Sequence, residues 1–183
     1  MHYRTRTYIA GEWDGDSDAI GQIYTWNESN KWGFHFVDAH GYRQCYDSSM
    51  PCTIKNNLSE RMGRSKTFVL VVGNGTKTAR KGSCFYYDCV NKRQSFMGNY
   101  YCAVASKTYS TESFIDHECR LAYNAYFRNE MKIVVLYNAA SINKSKCPEI
   151  LRNIGAHKEM KSYNAYYGDY RYDYQKVRAA IED

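Results

Sequence analysis

The sequence predicts an α/β domain in which helices cover both faces of a central parallel sheet. Short apolar runs alternate along the chain with stretches whose apolar residues recur at helical spacing. The clearest run, residues 66–73, contains five consecutive apolar residues, which is typical of a strand buried on both faces. The length of 183 residues suits one domain of this class and is short for two.

The first elements are a strand, a helix and a second strand. Residues 7–11 form a short apolar run that ends in glycine, which predicts a buried strand. An acidic, turn-forming stretch follows, in which Asp16 or Ser17 is expected to cap the next helix. Residues 33–37 predict the second strand, which runs into a polar loop.

The second helix and the third strand come next. Pro51 is tolerated in the first turn of a helix, and residues 48–51 are therefore expected to start one. Its apolar face is marked by residues four apart: Ile54, Leu58 and Met62. The run at 66–73 is the third strand. Residues 74–110 show no period, and we expect an irregular insert there with some local structure, because long structureless loops are unusual in a compact domain.

The last third of the chain predicts a helix, a fourth strand and a final helix. The helix spans residues 111–127, with Ser110 or Thr111 as its cap and Glu112 in its first turn. Lys132–Tyr137 is the fourth buried strand. The final amphipathic helix is marked by Tyr174, Val177 and Ile181. Ligands of such sheets bind at the carboxyl ends of the strands, near a switch in strand order.

Composition narrows the class of protein. The net charge of +6 suits an anionic small molecule or nucleic acid, but the charges are scattered along the chain. The seven cysteines show no paired C-x-x-C spacing, which disfavours a zinc site. Neither a signal peptide nor an apolar run of membrane-spanning length is present, so we expect reduced thiols in a cytoplasmic protein without membrane contact.

Basic and aromatic residues cluster within 77–92, which raises the alternative of a nucleic-acid binder. The cluster is modest, and a solvated loop is the favoured interpretation. Its members are Lys77, Arg80, Lys81, Lys92, Phe85, Tyr86 and Tyr87.

Glu118 departs from the pattern of its own helix. It lies three residues after Ile115 and four before Ala122, inside the apolar stripe. A carboxylate on a buried face is costly unless it is paired, and such groups cluster in active sites. From the pattern alone, a structural explanation is favoured: an ion pair with a basic neighbour, or an edge position where the carboxylate reaches water. The zinc-protease motif H-E-x-x-H is excluded because Leu121 occupies the place of the second histidine.

Five segments in order carry a resemblance to a known family. Residues 114–118 (FIDHE) resemble the motif in which an aromatic, an aliphatic, two variable residues and Glu open the helix after the third strand, with Phe114 in place of the usual Trp. The other segments are residues 6–10, 36–40, 65–73 and 132–137, which resemble the first four strands of that family. Together they resemble the bacterial TIR-like proteins of the ThsB type in Thoeris antiphage defence. The resemblance implies a flavodoxin-like, three-layer TIR-like domain over residues 1–183.

The resemblance further implies an enzyme that cleaves NAD, with Glu118 as the catalytic carboxylate beside the nicotinamide ribose. Loss of nicotinamide leaves an oxocarbenium-like ribose, and a fixed negative charge stabilises that cation. NAD is then the substrate, and neither a resident cofactor nor a metal is expected. The product is expected to be a signal, a cyclic ADP-ribose isomer or an ADP-ribosyl conjugate, that a downstream effector senses.

The remaining substrate-binding candidates come from the loops that the resemblance places around the cleft. Trp13 stacks on a ring of the ligand or anchors the surface, and Phe114 supports the pocket wall. The full set of candidates is Gly11, Glu12, Trp13 and Asp14 after the first strand, Asp38, His40 and Asp47 in the BB loop, and Phe114.

The alternative from another class is a TIR adaptor that assembles with other TIR domains and cleaves nothing. Glu118 favours catalysis, because an adaptor gains nothing from a buried carboxylate. Self-association through TIR–TIR contacts is expected in either case, since a neighbouring domain can complete the active site in this family.

Overall fold

The computed structural model describes residues 6–29, 36–38, 50–84, 91–103, 107–108 and 110–182. Strands and helices alternate through most of these residues. In chain order they are β1 (Arg6–Ala10), α1 (Trp13–Glu28), β2 (Val37–Asp38), α2 (Pro51–Met62), β3 (Thr67–Val72), β4 (Lys92–Gln94), β5 (Tyr100–Cys102), β6 (Lys107–Thr108), α3 (Phe114–Phe127), β7 (Lys132–Tyr137), β8 (Ala156–Glu159), β9 (Lys161–Asn164), β10 (Asp169–Tyr172) and α4 (Tyr174–Glu182).

The central sheet has five parallel strands in the order β2-β1-β3-β7-β8. The chain moves outward from β1 to β2 and then returns to the other side of β1 to form β3. The order of strands therefore reverses between β1 and β3. In an open α/β sheet, the crevice at the carboxyl ends of the strands beside such a reversal is where ligands bind.

Successive side chains of the central strands point to opposite faces, and each face is covered by helices. One face packs against α2 and α3 and includes Tyr8, Phe68 and Val135. The other packs against α1 and α4 and includes Ile9 and Val69. This three-layer arrangement confirms the predicted flavodoxin-like α/β fold with a central parallel sheet.

The predicted start of the first helix was wrong. The helix begins at Trp13, and Asp16 has non-helical φ and ψ angles inside it rather than capping it. The carboxylate of Asp16 is only 1% exposed and accepts hydrogen bonds from Asn138 and Thr76. These bonds draw Asp16 toward the sheet and distort the first turn of α1.

The predicted start of the third helix was also wrong. The cap is Ser113, whose hydroxyl accepts from the backbone N–H of Asp116, while the Asp116 carboxylate accepts from the backbone of Ser113. This reciprocal pair is a capping box, which satisfies two backbone donors at once. Glu112 thus precedes the helix, where it forms an ion pair with Arg120.

The insert contains a three-stranded antiparallel sheet, β4-β5-β6, after a short 3₁₀ turn at Thr76–Thr78. Local structure was expected there, but these strands were not predicted. Nor was β8, or the antiparallel hairpin of β9 and β10.

The remaining predictions concern α2, β3, β7, α4 and the second strand. The first four are confirmed, including the position of Pro51 in the first turn of α2. Of the predicted strand at 33–37, residues 33–35 lie outside the described residues, and β2 itself is Val37–Asp38. None of the helices in the described ranges is long and apolar enough to cross a membrane.

Candidate functional site

The carboxyl end of β1 leads directly into the candidate cleft. Gly11 and Glu12 follow the strand, and Trp13 and Asp14 form the first turn of α1. A Cβ added to Gly11 would come within 2.8 Å of the Ile20 side chain. The glycine therefore lets the start of α1 pack closely onto the end of the strand.

Glu12 is more buried than Asp14, the next carboxylate along the chain. Burial raises its pKa, and the neighbouring charge of Asp14 raises it further, whereas Lys81 acts in the opposite sense. Trp13 is 50% exposed, and its ring stacks on Tyr24 with centroids 6.4 Å apart. Its free face is available to a ligand, although the Tyr24 contact also suits a surface anchor.

Lys81 connects the start of α1 with the start of α3. Its ammonium lies 4.0 Å from the carboxylate of Asp14, and its backbone carbonyl accepts a 2.8 Å hydrogen bond from the N–H of Phe114. The structure thereby brings together two groups of predicted site residues that lie about a hundred positions apart in the sequence. Sequence analysis placed Lys81 in a solvated loop and missed this role.

Phe114 is half-buried and packs against the core on the α2–α3 side of the sheet. Gly82 lies against its ring with a φ of +99°, and a Cβ there would be 2.7 Å from the backbone nitrogen of Phe114. Glycine is favoured by both the positive φ and the close approach. Phe114 is therefore held between the first part of the insert and the core, which suits the proposed position in the pocket wall.

Glu118 lies one turn further along α3 and is 5% exposed. Its Oε1 accepts a hydrogen bond from the hydroxyl of Tyr8 on β1. Tyr8 is fully buried, and its ring stacks on Phe68 with centroids 6.0 Å apart. The carboxylate is thus held by a rigid strand residue at the strand-order reversal. Tyr8 was missed by sequence analysis, and its one signal was a polar hydroxyl inside an apolar strand.

A polar network beside Glu118 joins α2 to α3. The imidazole of His117 lies 3.1 Å from a carboxylate oxygen of Glu112 and 3.0 Å from the hydroxyl of Ser59. Arg120 also binds Glu112, and Lys55 bonds to the backbone carbonyl of that residue. Burial lowers the pKa of His117, while Glu112 opposes the shift. The network fixes the helix that carries Glu118 relative to α2.

The predicted residues of the second strand and its loop are less fully described. Asp38 belongs to β2 and is paired in register with Thr7 of β1, which places its backbone beside the strand that carries Tyr8. His40 and Asp47 lie outside the described residues, so their predicted roles stay predictions.

A second polar cleft lies at the carboxyl ends of β3 and β7, and no residue of it was predicted. It has a volume of about 160 Å³ and is lined by Asp16, Gly73, Asn138 and Lys146, among others. Burial raises the pKa of Asp16, and the hydrogen bond from Asn138 opposes that shift. A Cβ on Gly73 would overlap the Asp16 carboxylate. Asp16 therefore ties α1 to the ends of two strands.

Metal ligands do not cluster in the described parts of the chain, where no group of three His, Cys, Asp or Glu side chains is suitably placed. The free cysteines among these residues include Cys119, which is fully buried and whose thiol pKa is raised by that burial.

Comparison with protein families identifies a match in the first half of the chain. Residues 8–81 match the family model of the Thoeris protein ThsB, TIR-like domain. The matched stretch includes Tyr8, the loop from Gly11 to Asp14, and Lys81, and it ends before the helix of Glu118. None of the curated proteins matches the chain.

Proposed function

Because residues 8–81 match the family model of the ThsB TIR-like domain, we propose that this protein cleaves NAD at the bond between nicotinamide and ribose. The observation that carries the proposal is Glu118, a carboxylate that is 5% exposed on the apolar face of α3 and accepts a hydrogen bond from Tyr8. A buried carboxylate is costly to keep unless something compensates for its lost hydration. A role in stabilising a cationic reaction centre explains why a carboxylate is kept at this buried position.

In the proposed reaction, the C1′–N bond breaks and its electron pair leaves with nicotinamide, which becomes neutral. The ribose then carries positive charge shared between C1′ and the ring oxygen. Glu118 stabilises this charge, and the carboxylate also orients the sugar by accepting from a ribose hydroxyl. A nucleophile attacks C1′ and loses its proton to complete the transfer. Nicotinamide leaves without protonation, so no strong general acid is required.

The proposed substrate cleft is bounded by the start of α1 and the start of α3. Lys81 joins these elements through Asp14 and Phe114, and this contact supports placing Gly11, Glu12 and Trp13 on one wall. On this proposal Phe114 forms part of the wall near Glu118. Asp38, His40 and Asp47 complete the cleft from the BB loop.

We propose a signalling product rather than plain ADP-ribose, in keeping with the Thoeris defence context of the matched family. Attack by a ribose hydroxyl of the same molecule gives a cyclic ADP-ribose isomer. Attack by a free imidazole gives an ADP-ribosyl conjugate. A downstream effector would sense either product.

The test is chromatography with mass detection after incubation of NAD with the wild-type protein, Glu118→Gln and Glu60→Gln. Glu60 is an exposed carboxylate on α2 and serves as the matched control. We expect the rate of nicotinamide release by Glu118→Gln to be at least roughly a hundredfold lower than that of the wild type. This is the usual effect of removing a group that stabilises transition-state charge. Glu60→Gln should retain full activity. The mass of the second product, with and without free histidine, identifies the acceptor.

The same experiment at several protein concentrations tests self-association. A rate that rises more steeply than protein concentration supports an active site completed by a second copy, whereas a proportional rate contradicts it. If no NAD is consumed at any concentration, or if Glu118→Gln is as active as the wild type, the proposed catalysis is wrong. The adaptor alternative then gains support.

A further inference from the structure

Another pocket, larger than the polar cleft at Asp16, lies where the loop after β3 meets the start of α3. Its volume is about 410 Å³. The pocket is lined by two cationic side chains, three hydroxyl side chains, one alanine and one carboxylate: Lys77, Arg80, Thr78, Ser83, Thr111, Ala79 and Asp116. Most of the basic cluster that sequence analysis assigned to a solvated loop is thus folded against the helix that carries Glu118.

The two cations of this pocket are exposed to solvent and open to a ligand. Lys77 and Arg80 are exposed, and neither forms an ion pair with any residue in the described ranges, whereas Lys81 between them and α1 is paired with Asp14. The one carboxylate, Asp116, already accepts from the hydroxyl of Ser113 at 2.7 Å. The pocket is therefore rich in hydrogen-bond donors and carries a net positive charge, which suits an anion.

The chemistry of two adjacent cations and several hydroxyls matches phosphate oxygens. We propose that this pocket binds the pyrophosphate of NAD. The inference rests on the proposed NAD cleavage and adds a location for the part of the substrate that does not react. Asp116 and Glu118 are two residues apart on α3, about 3 Å along the helix axis. Residues two apart on a helix point to different faces, so on this proposal the dinucleotide passes around the start of α3 to reach Glu118.

Two of the backbone donors at the start of α3 are already occupied within the protein. The N–H of Phe114 donates to the carbonyl of Lys81, and the N–H of Asp116 donates to the hydroxyl of Ser113. Recognition of the phosphates then depends on side chains, above all Lys77 and Arg80. Substitution of these two residues is consequently a direct test of the side-chain contribution.

The experiment compares the double variant Lys77→Gln/Arg80→Gln with Arg64→Gln/Lys66→Gln, which removes the same charge at the opposite end of β3. Each is assayed with NAD and with nicotinamide riboside, which has the same scissile bond and no phosphate. We expect the KM for NAD to rise roughly tenfold in the first variant only, with KM for the riboside unchanged, because charge-assisted bonds to phosphate are among the stronger polar contacts. Thermal unfolding confirms that both variants are folded.

Calorimetric titration with ADP-ribose and with inorganic pyrophosphate provides a readout that needs no turnover. Both probes should bind more weakly to the Lys77/Arg80 variant in a Glu118→Gln background, and added salt should reduce the difference. If the Lys77/Arg80 variant binds both probes more weakly, the pocket recognises the pyrophosphate group itself. If only ADP-ribose binds more weakly, the pocket recognises the pyrophosphate within a dinucleotide. Equal binding to the two double variants, or an equal rise in KM for NAD and the riboside, overturns the inference. The binding measurements test this inference independently of catalysis, whereas the proposed function is wrong if the wild type releases no nicotinamide.

Discussion

At the scale of single residues, the hydrogen bond between Tyr8 and Glu118 is the contact on which the site depends most directly. Tyr8 is immobile because it is fully buried in β1 and its ring stacks on Phe68. A donor held in this way restricts the carboxylate of Glu118 to one orientation without adding charge. Preorganised polar groups act on a developing charge without having to reorient during the reaction.

Tyr8→Phe removes the hydroxyl and keeps the ring, so it isolates this contact. We expect kcat/KM for NAD to fall about ten- to hundredfold, since a hydrogen bond to a charged group contributes about 1.5–3 kcal/mol and about 1.4 kcal/mol corresponds to tenfold in rate. The control is Tyr137→Phe, which removes another buried tyrosine hydroxyl, bonded at 2.9 Å to His157. That variant should lose stability but retain activity. Equal activity of Tyr8→Phe and the wild type would contradict the assigned role.

At the scale of elements, the first part of the insert determines where α3 begins. Sequence analysis considered Ser110 and Thr111 as caps, and both are suitable residue types. The structure selects Ser113 because Gly82 and the carbonyl of Lys81 meet Phe114 there. This contact joins residues more than thirty positions apart, and no local pattern contains it. Helix ends set by local sequence alone, such as Pro51 in α2, were predicted correctly.

Substitution of two glycines with positive φ measures the cost of backbone strain separately from the cost of close packing. Gly82 has a φ of +99° and lies against Phe114, whereas Gly168 has a φ of +70° and nothing within 4 Å of an added Cβ. We expect Gly168→Ala to lower the free energy of unfolding by about 1 kcal/mol, from the positive φ alone. Gly82→Ala should lower it by about 2–4 kcal/mol, because the overlap with Phe114 adds a packing cost. Chemical denaturation measures both, and similar losses in the two variants would show that the Phe114 contact is unimportant.

At the scale of the whole molecule, the sequence reveals the layers better than the order of strands. Buried strands such as β3 and β7 were predicted because each is an apolar run, and their alternation with helices requires parallel pairing. β8 was missed because its residues are polar and only half-buried at the edge of the sheet. The two antiparallel sheets were missed because their short strands carry exposed aromatic and charged residues without alternation.

The candidate site, like the fold, was predicted only in part from the sequence. Glu118 was identified because it interrupts a helical stripe, a signal contained within ten residues of sequence. Tyr8, Lys81 and Asp16 were not identified, since each acts through partners far away in the chain. Their roles follow from the strand-order reversal and from loop packing, which sequence spacing does not encode. The catalytic and substrate-binding assignments stay predictions.

The stability of the whole molecule should depend on pH through two histidines, the buried His117 and the half-buried His157. His117 links α3 to α2 through Ser59, and His157 on β8 bonds to Tyr137 on β7. The pKa of each is lowered from 6.5, mainly by burial. In the folded protein both therefore stay neutral at pH values where the unfolded chain already binds protons. Stability is then fully present above pH 6.5 and is lost as the pH falls toward the lowered pKa.

We expect the free energy of unfolding to decrease as the pH falls from about 7.5 to about 5.5. His117→Gln should flatten this slope, by at most about 1.4 kcal/mol per pH unit, because a single proton is involved. His157→Gln should flatten it independently, since the two residues lie on different elements. Burial raises the pKa values of Glu12 and Asp16, so these two groups act in the opposite sense, and both are present in the wild type and in each variant. Denaturant titrations at several pH values measure the slopes. An unchanged slope in His117→Gln would mean that His117 binds its proton equally well in the folded and unfolded chains, and that the α2–α3 network is not a source of acid sensitivity.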